Sequence, residues 1–182
     1  MTPDRSHRTA VVAIPPEAVW EPIQAIRRRH DRHAARWMPH VTLLYPFWPE
    51  ERLAEAVAAL APALAAVPAF DAELATLRWF EHRDQHFTLW LAPEPEAAWK
   101  AVHAALLAAA PDCDATARFA HGFTPHLSVG QVLGAARRDA LIAEIAAGWA
   151  PLRFPLVEVA LLRRDPDGPF TVAARLRLAP GA

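Results

Sequence analysis

Hydrophobic positions along this chain fall into two kinds of segment. Some are short runs rich in β-branched and aromatic residues. Others are longer alanine-rich stretches broken by Glu, Pro, Lys or His. The first kind predicts strands over Thr9–Ile14, Trp37–Phe47, Phe70–Phe80, Phe87–Leu91, His121–Val132, Pro155–Arg163 and Phe170–Leu178. The second kind predicts helices over Glu17–Asp31, Pro49–Ala66, Glu94–Ala110 and Ala135–Ala147. Pro16 can open the first helix and Gly148 closes the last. The polar tract Glu81–His86 reads as a hairpin turn, Pro111–Ala117 as a loop, and Asp165-Pro166-Asp167-Gly168 as a turn between the last two strands. Strands and helices interleave, yet two junctions are hairpins. That combination predicts an α+β layered fold with antiparallel sheets, not a doubly wound parallel sheet. No low-complexity linker divides the chain, so residues 1–182 are expected to form one domain of two lobes.

Two of the predicted strands resemble each other. Trp37–Pro46 reads WMPHVTLLYP and Phe123–Val132 reads FTPHLSVGQV. Each runs aromatic, any residue, Pro, His, aliphatic, hydroxyl, aliphatic. The two histidines, His40 and His126, lie 86 positions apart. Each segment leads into an alanine-rich helix and then a hairpin, which suggests two related halves about a pseudo-twofold axis. In a strand, residues i and i+2 share a face. His40 and Thr42 therefore project together, as do His126 and Ser128, while Val41, Leu43, Leu127 and Val129 turn inward. Two imidazoles and two hydroxyls then converge on one cleft. The hydroxyls can donate to non-bridging phosphate oxygens. The imidazoles can flank the phosphorus, one accepting a proton and the other donating one. With an ordinary pKa near ~6.5, both forms of histidine are expected to coexist near neutral pH. A single His-x-Thr on a strand is usually a partly buried histidine with a local hydrogen bond; two copies with matching flanks are not explained that way.

On these motifs, His40-Val41-Thr42-Leu43 and His126-Leu127-Ser128-Val129, the sequence resembles the 2H phosphoesterase superfamily of 2′-5′ RNA ligase-like proteins and cyclic phosphodiesterases. The resemblance implies a bilobal fold with the site between the lobes. It implies metal-independent cleavage of 2′,3′-cyclic phosphates to 2′-phosphates without a cofactor, and in some members reversible 2′-5′ ligation. It further implies His40 as proton donor and His126 as acceptor. Ser128 stands where threonine is usual, which keeps the hydroxyl and loses a methyl. Two other functions remain open: a 2′-5′ RNA ligase or oligonucleotide phosphodiesterase using the same site, and a mononucleotide-binding module of the same fold. A scaffold with vestigial motifs is disfavoured by the intact side chains.

Composition narrows the partners. The formal net charge is −1, with 53% hydrophobic and 21% charged residues. Long duplex nucleic acid is not an expected partner for so neutral a chain; the resemblance implies a small nucleotide or RNA end instead, and a monomer is expected. The only lysine is Lys100, and Arg27-Arg28-Arg29 with Arg32 forms a basic run that the dipole of the preceding helix would explain. Arg163 and Arg164 follow a strand and are candidates to face the cleft. Cys113 is the sole cysteine, compatible with a reducing cytoplasm. After Asp4, Arg5 and Arg8, the apolar run Ala10–Ile14 is too short for a signal peptide or membrane span, so no membrane association is expected. Tyr45, Phe123 and Gln131 are candidates to contact the base of a substrate. Unbroken alternation would turn Tyr45 away from His40, unless the strand bends before Pro46. His82 and His86 bracket a loop that could meet substrate. With His121, His30, His33, His7 and His103, they form no recognisable metal set. No phosphate-binding glycine loop, nucleophile elbow or HExxH is present.

Overall fold

The computed structural model describes residues 5–181; Asp4 lies outside the described residues. Eight strands are present: β1 (Thr9–Ala13), β2 (Val41–Leu44), β3 (Phe70–Glu81), β4 (His86–Glu94), β5 (Leu127–Leu133), β6 (Leu152–Leu156), β7 (Glu158–Arg163) and β8 (Thr171–Arg177). Four helices join them: α1 (Trp20–His30), α2 (Leu53–Leu64), α3 (Glu96–Ala109) and α4 (Ala135–Gly148). The strands form two four-stranded antiparallel sheets, ordered β2-β1-β7-β8 and β5-β4-β3-β6. The fold is α+β, as the interleaved pattern predicts.

The pseudo-twofold relation is visible in the wiring. The path β1-α1-β2-α2 matches β4-α3-β5-α4, and in each the motif strand pairs with the strand before its helix. Both motif strands, β2 and β5, end up at the edge of their sheet. After α2 the chain crosses to the other sheet as β3; after α4 it adds β6 to its own sheet and then crosses as β7. α1 packs on β5 and α3 packs on β2, so each half lays a helix against the other's motif strand. One buried cluster spans both sheets, from Val11 and Leu44 to Leu89 and Val129. A smaller one, of Ala10, Val12, Ala160, Leu162 and Phe170, lies on the other face of the first sheet and is covered by Trp37, Met38 and Tyr45.

Three boundaries differ from the sequence reading. The two motif segments begin pairing only after the histidine, at Val41 and Leu127, not at Trp37 and His121. Pro39 and Pro125 have no N–H to give a ladder, so the chain before each histidine runs outside the sheet. Pro155–Arg163 is two strands, not one. β6 pairs with β3, and β7 pairs with β1, with the switch at Val157. Pro155 is tolerated because β6 is an edge strand. Third, the first two helices each open with a single 3₁₀ turn, Glu17–Val19 and Glu50–Arg52. Pro22 falls in the first turn of α1, where no N–H donor is required.

The basic run at the end of α1 also differs from its expected role. Arg28 and Arg29 are exposed, but Arg27 is buried, and its Nε donates to Asp31 Oδ2 at 2.9 Å. The same guanidinium donates to Gln24 Oε1 at 3.0 Å and to the Trp37 carbonyl at 2.9 Å. The helix dipole alone therefore does not account for Arg27: one turn places Asp31 beside it inside the protein. Removing one partner of a buried pair strands the other charge, at a typical cost of ~3–5 kcal/mol. Arg27→Ala is expected to lose stability of about that size in urea titrations, whereas Arg28→Ala, whose partner Glu21 is exposed, should cost less than ~1 kcal/mol.

Candidate active site

Both histidines are held in the same way. His40 Nδ1 bonds the Met38 carbonyl at 2.7 Å, and His126 Nδ1 bonds the Thr124 carbonyl at 2.8 Å. A carbonyl only accepts, so Nδ1 carries the hydrogen and Nε2 is left as the acceptor in the neutral ring. The bond reaches two residues back over Pro39 or Pro125, whose rings stiffen the intervening turn. Each imidazole is thus fixed in tautomer and direction by its own chain.

The strands carry a further match. The register of β2 on β1 slips so that Val11 faces Leu44 and Val12 faces Thr42, leaving Leu43 as an extra residue. On β5 the same slip leaves Val129 extra, between Ser128 opposite Trp90 and Gly130 opposite Leu89. Both bulges fall three residues after the histidine. Before the bulge, alternation holds: Val41 and Leu127 are buried, while His40, Thr42, His126 and Ser128 are half-buried. At the bulge two successive residues are buried, Leu43-Leu44 and Val129-Gly130. The phase then resets. This is how Tyr45 comes to line the same cavity as Thr42, where unbroken alternation would turn it away.

That cavity has a volume of about 510 Å³. Thr42, Tyr45, Phe123 and His126 of the expected residues line it, and His82, His103 and His121 join them. Its wall is mainly aromatic and aliphatic, with Leu43, Phe80 and Phe119 prominent. Neither His40 nor Ser128 is among the lining residues; Ser128 sits two positions along β5 from His126, opposite Trp90, and His40 is stacked against Trp37. Gln131 lies elsewhere. Its Nε2 donates to Asp31 Oδ1 at 3.1 Å, and its Oε1 accepts from the Arg32 N–H at 3.1 Å. Both ends of the amide are engaged, so the base-edge contact expected of Gln131 is replaced by a bond to the end of α1. Arg163 pairs with Glu50 on the surface, and Arg164 donates to the Pro166 carbonyl at 2.6 Å.

The two rings sit against different walls. Trp37 stacks on His40 with centroids 4.6 Å apart, and Phe170 stacks behind Trp37 at 3.7 Å. His126 meets the edges or faces of Phe80 at 5.0 Å and Trp90 at 5.9 Å. Phe123, the counterpart of Trp37, stacks instead on the buried His103 at 4.0 Å. Sequence reasoning missed Phe80, Trp90 and His103. Nothing in their local pattern marks them, because they arrive from a different hairpin and from α3.

These walls change the acid–base picture. Burial pushes the His40 pKa down to about 4, and a charge on Arg27 or on His126 would push it the same way. Burial lowers His126 too. Burial thus favours the neutral form of both rings, where the sequence alone suggested a mixture of forms near neutral pH. An anion bound between them would oppose the desolvation and draw a proton into the site. Among the described residues no three His, Cys, Asp or Glu side chains converge to hold a metal ion.

Antiparallel sheets with motif strands at their edges and matching helix crossings give the fold of the 2H phosphoesterases. Residues 15–168 match the profile of the 2′-5′ RNA ligase superfamily, and the chain belongs to it. Its fold is similar to that of E. coli LigT in the complex with 3′-AMP, at 19% identity and a TM-score of 0.62 over 96% of this chain and 99% of that one. It is similar also to TT0787 of Thermus thermophilus, at 21% identity and a TM-score of 0.61 over 94% and 97%. LigT has further been solved with phosphate, ATP and NADP+. No curated protein matches the chain in sequence. Among the described residues no helix is long and apolar enough to cross a membrane.

The pH dependence of stability follows from the depressed histidines. His40 has a lower pKa folded than the ~6.5 of an unfolded chain, so its contribution is present above ~6.5 and is lost as pH falls toward about 4. The urea midpoint should drop between pH 7.5 and pH 4.5, and inorganic phosphate should recover more of it at the lower pH. A midpoint independent of pH in His40→Asn and wild type alike would show that His40 is not desolvated.

Proposed function

We propose that the protein hydrolyses 2′,3′-cyclic phosphates of small nucleotides or RNA ends to 2′-phosphates, using His40 and His126 as an acid–base pair without a metal. The observation that supports this most directly is the matched pinning of both rings, Nδ1 to the carbonyl two residues back and Nε2 left as acceptor. Substrate arrives as an anion and raises the imidazole pKa values enough for one ring to take up a proton. His126 Nε2 accepts a proton from water as its oxygen bonds to phosphorus. The P–O3′ bond breaks, and the His40 imidazolium gives its Nε2 proton to the departing 3′-oxygen. Thr42 and Ser128 donate hydroxyl hydrogens to the non-bridging oxygens, where negative charge grows. The cavity beside Thr42 and His126, with Tyr45 and Phe123 in its wall, holds the nucleoside by stacking and apolar contact. A pocket of about 510 Å³ suits one nucleotide rather than a long strand. The whole chain acts as one bilobed domain and as a monomer. A cytoplasmic location is in keeping with the single buried thiol of Cys113.

The test is a phosphorus NMR screen of 2′,3′-cyclic nucleotides and 2′-5′ dinucleotides. His40→Ala and His126→Ala are each expected to lower turnover ~10²–10⁴-fold while keeping the fold. Ser128→Ala should cost less than either, and Ser128→Thr should retain activity. Turnover should be insensitive to EDTA. Full activity in either histidine variant ends this mechanism, and loss with EDTA restored by a divalent ion makes the protein a metal enzyme. Tight mononucleotide binding without turnover across the panel would make it a binding module instead.

A further inference from the structure

The polar contacts at the end of α1 reach both histidine motifs from one carboxylate. Asp31 Oδ2 accepts from Arg27 Nε at 2.9 Å, and Arg27 also donates to the carbonyl of Trp37, the residue stacked on His40. Asp31 Oδ1 accepts from Gln131 Nε2 at 3.1 Å and from the His33 N–H at 2.9 Å. Gln131 lies on β5, five residues after His126. The Arg32 N–H closes the arrangement on Gln131 Oε1. The helix end also touches the strand itself: a Cβ at Gly130 would lie 2.8 Å from His30 Cβ and 3.2 Å from the His30 carbonyl oxygen. Only a residue without a side chain lets α1 settle this close to β5.

We infer that Asp31, Gln131 and Gly130 are positioning residues that fix the spacing of the two imidazoles across the cleft. His40 and His126 sit beside edge strands of two different sheets, and edge strands have an unpaired side. The lobes need a tie there if the rings are to face one phosphate. Asp31 supplies it: Oδ1 bonds Gln131 on β5, and Oδ2 holds Arg27, which in turn bonds the Trp37 carbonyl. The tie is specific in direction, because the Gln131 amide must donate to the carboxylate and accept from the Arg32 N–H. A misplacement of ~1 Å in a reacting pair costs on the order of 10²-fold in rate. The role of this tie in turnover rests on the proposed phosphoesterase activity; its role in setting the rings does not.

The experiment compares wild type, Gln131→Leu, Gly130→Ala and the double variant His30→Gly/Gly130→Ala. Three quantities are read: the urea midpoint, kcat and KM on a 2′,3′-cyclic nucleotide, and nitrogen NMR titrations of His40 and His126 with and without inorganic phosphate. Gln131→Leu keeps the bulk and loses both bonds; Gly130→Ala wedges the helix off the strand. Each single variant is expected to lower kcat ~10–100-fold with KM changed less than ~3-fold. Each should also weaken the phosphate-induced rise in the two imidazole titrations. His30→Gly removes the facing Cβ, so the double variant should regain most of what Gly130→Ala lost. Unchanged kcat and titrations in folded Gln131→Leu would overturn the inference, as would a double variant with no recovery. Should Gly130→Ala fail to fold, Gln131→Leu decides. If wild type turns over no substrate, the phosphoesterase reading fails on its own. The phosphate titrations still decide the positioning role: a response kept in Gln131→Leu overturns it, and a response lost supports it.

Discussion

The buried ion pair of Arg27 and Asp31 is the interaction on which the arrangement of the cleft depends. Both charges are almost fully removed from water, so neither is stable there alone. Beyond Gln24 in the same helix, they bond chain segments outside it: the carbonyl of Trp37, the N–H of His33 and the amide of Gln131. A pair of this kind adds little net stability over apolar packing. What it supplies is direction, because a carboxylate and a guanidinium accept partners only at set angles. The joint between two pseudo-symmetric halves is where direction matters most.

Around that joint the two halves repeat their local devices closely. Each motif has a proline that keeps the histidine outside the ladder, an imidazole pinned to its own backbone, and a bulge three residues on. The surroundings do not repeat. A stack of Trp37 and Phe170 backs His40, whereas Phe80 and Trp90 flank His126. The two rings therefore sit in different electrostatic surroundings, which suits the distinct donor and acceptor roles proposed for them. Burial lowers the proton affinity of both rings alike.

Much of this was legible from residue order. The duplicated Pro-His-aliphatic-hydroxyl segment identified the family, and strand periodicity predicted the half-buried Thr42 and Ser128 between buried aliphatic neighbours. The alternation of strands and helices sufficed for an antiparallel α+β fold. Tyr45 and Gln131 occupy equivalent places, five residues after their histidines, and sequence offered the same role for both. The bulges reset the faces of both strands, and then the neighbours differ: a cavity for Tyr45, the end of α1 for Gln131.

Local sequence, then, determined which polar groups each motif carries and how each imidazole is pinned to its own backbone, because those depend on residues within about five positions. Only the tertiary structure decided that Arg27 turns inward, that Pro155–Arg163 divides between two sheets, that Phe80 and His103 line the cavity, and that Trp90 packs beside His126. Each of these depends on what packs against a residue from a distant part of the chain, and burial sets both the fate of a charge and the pKa of a ring. The two histidines are recognisable from the sequence, but the lowering of their proton affinities is a property of the walls that folding builds around them.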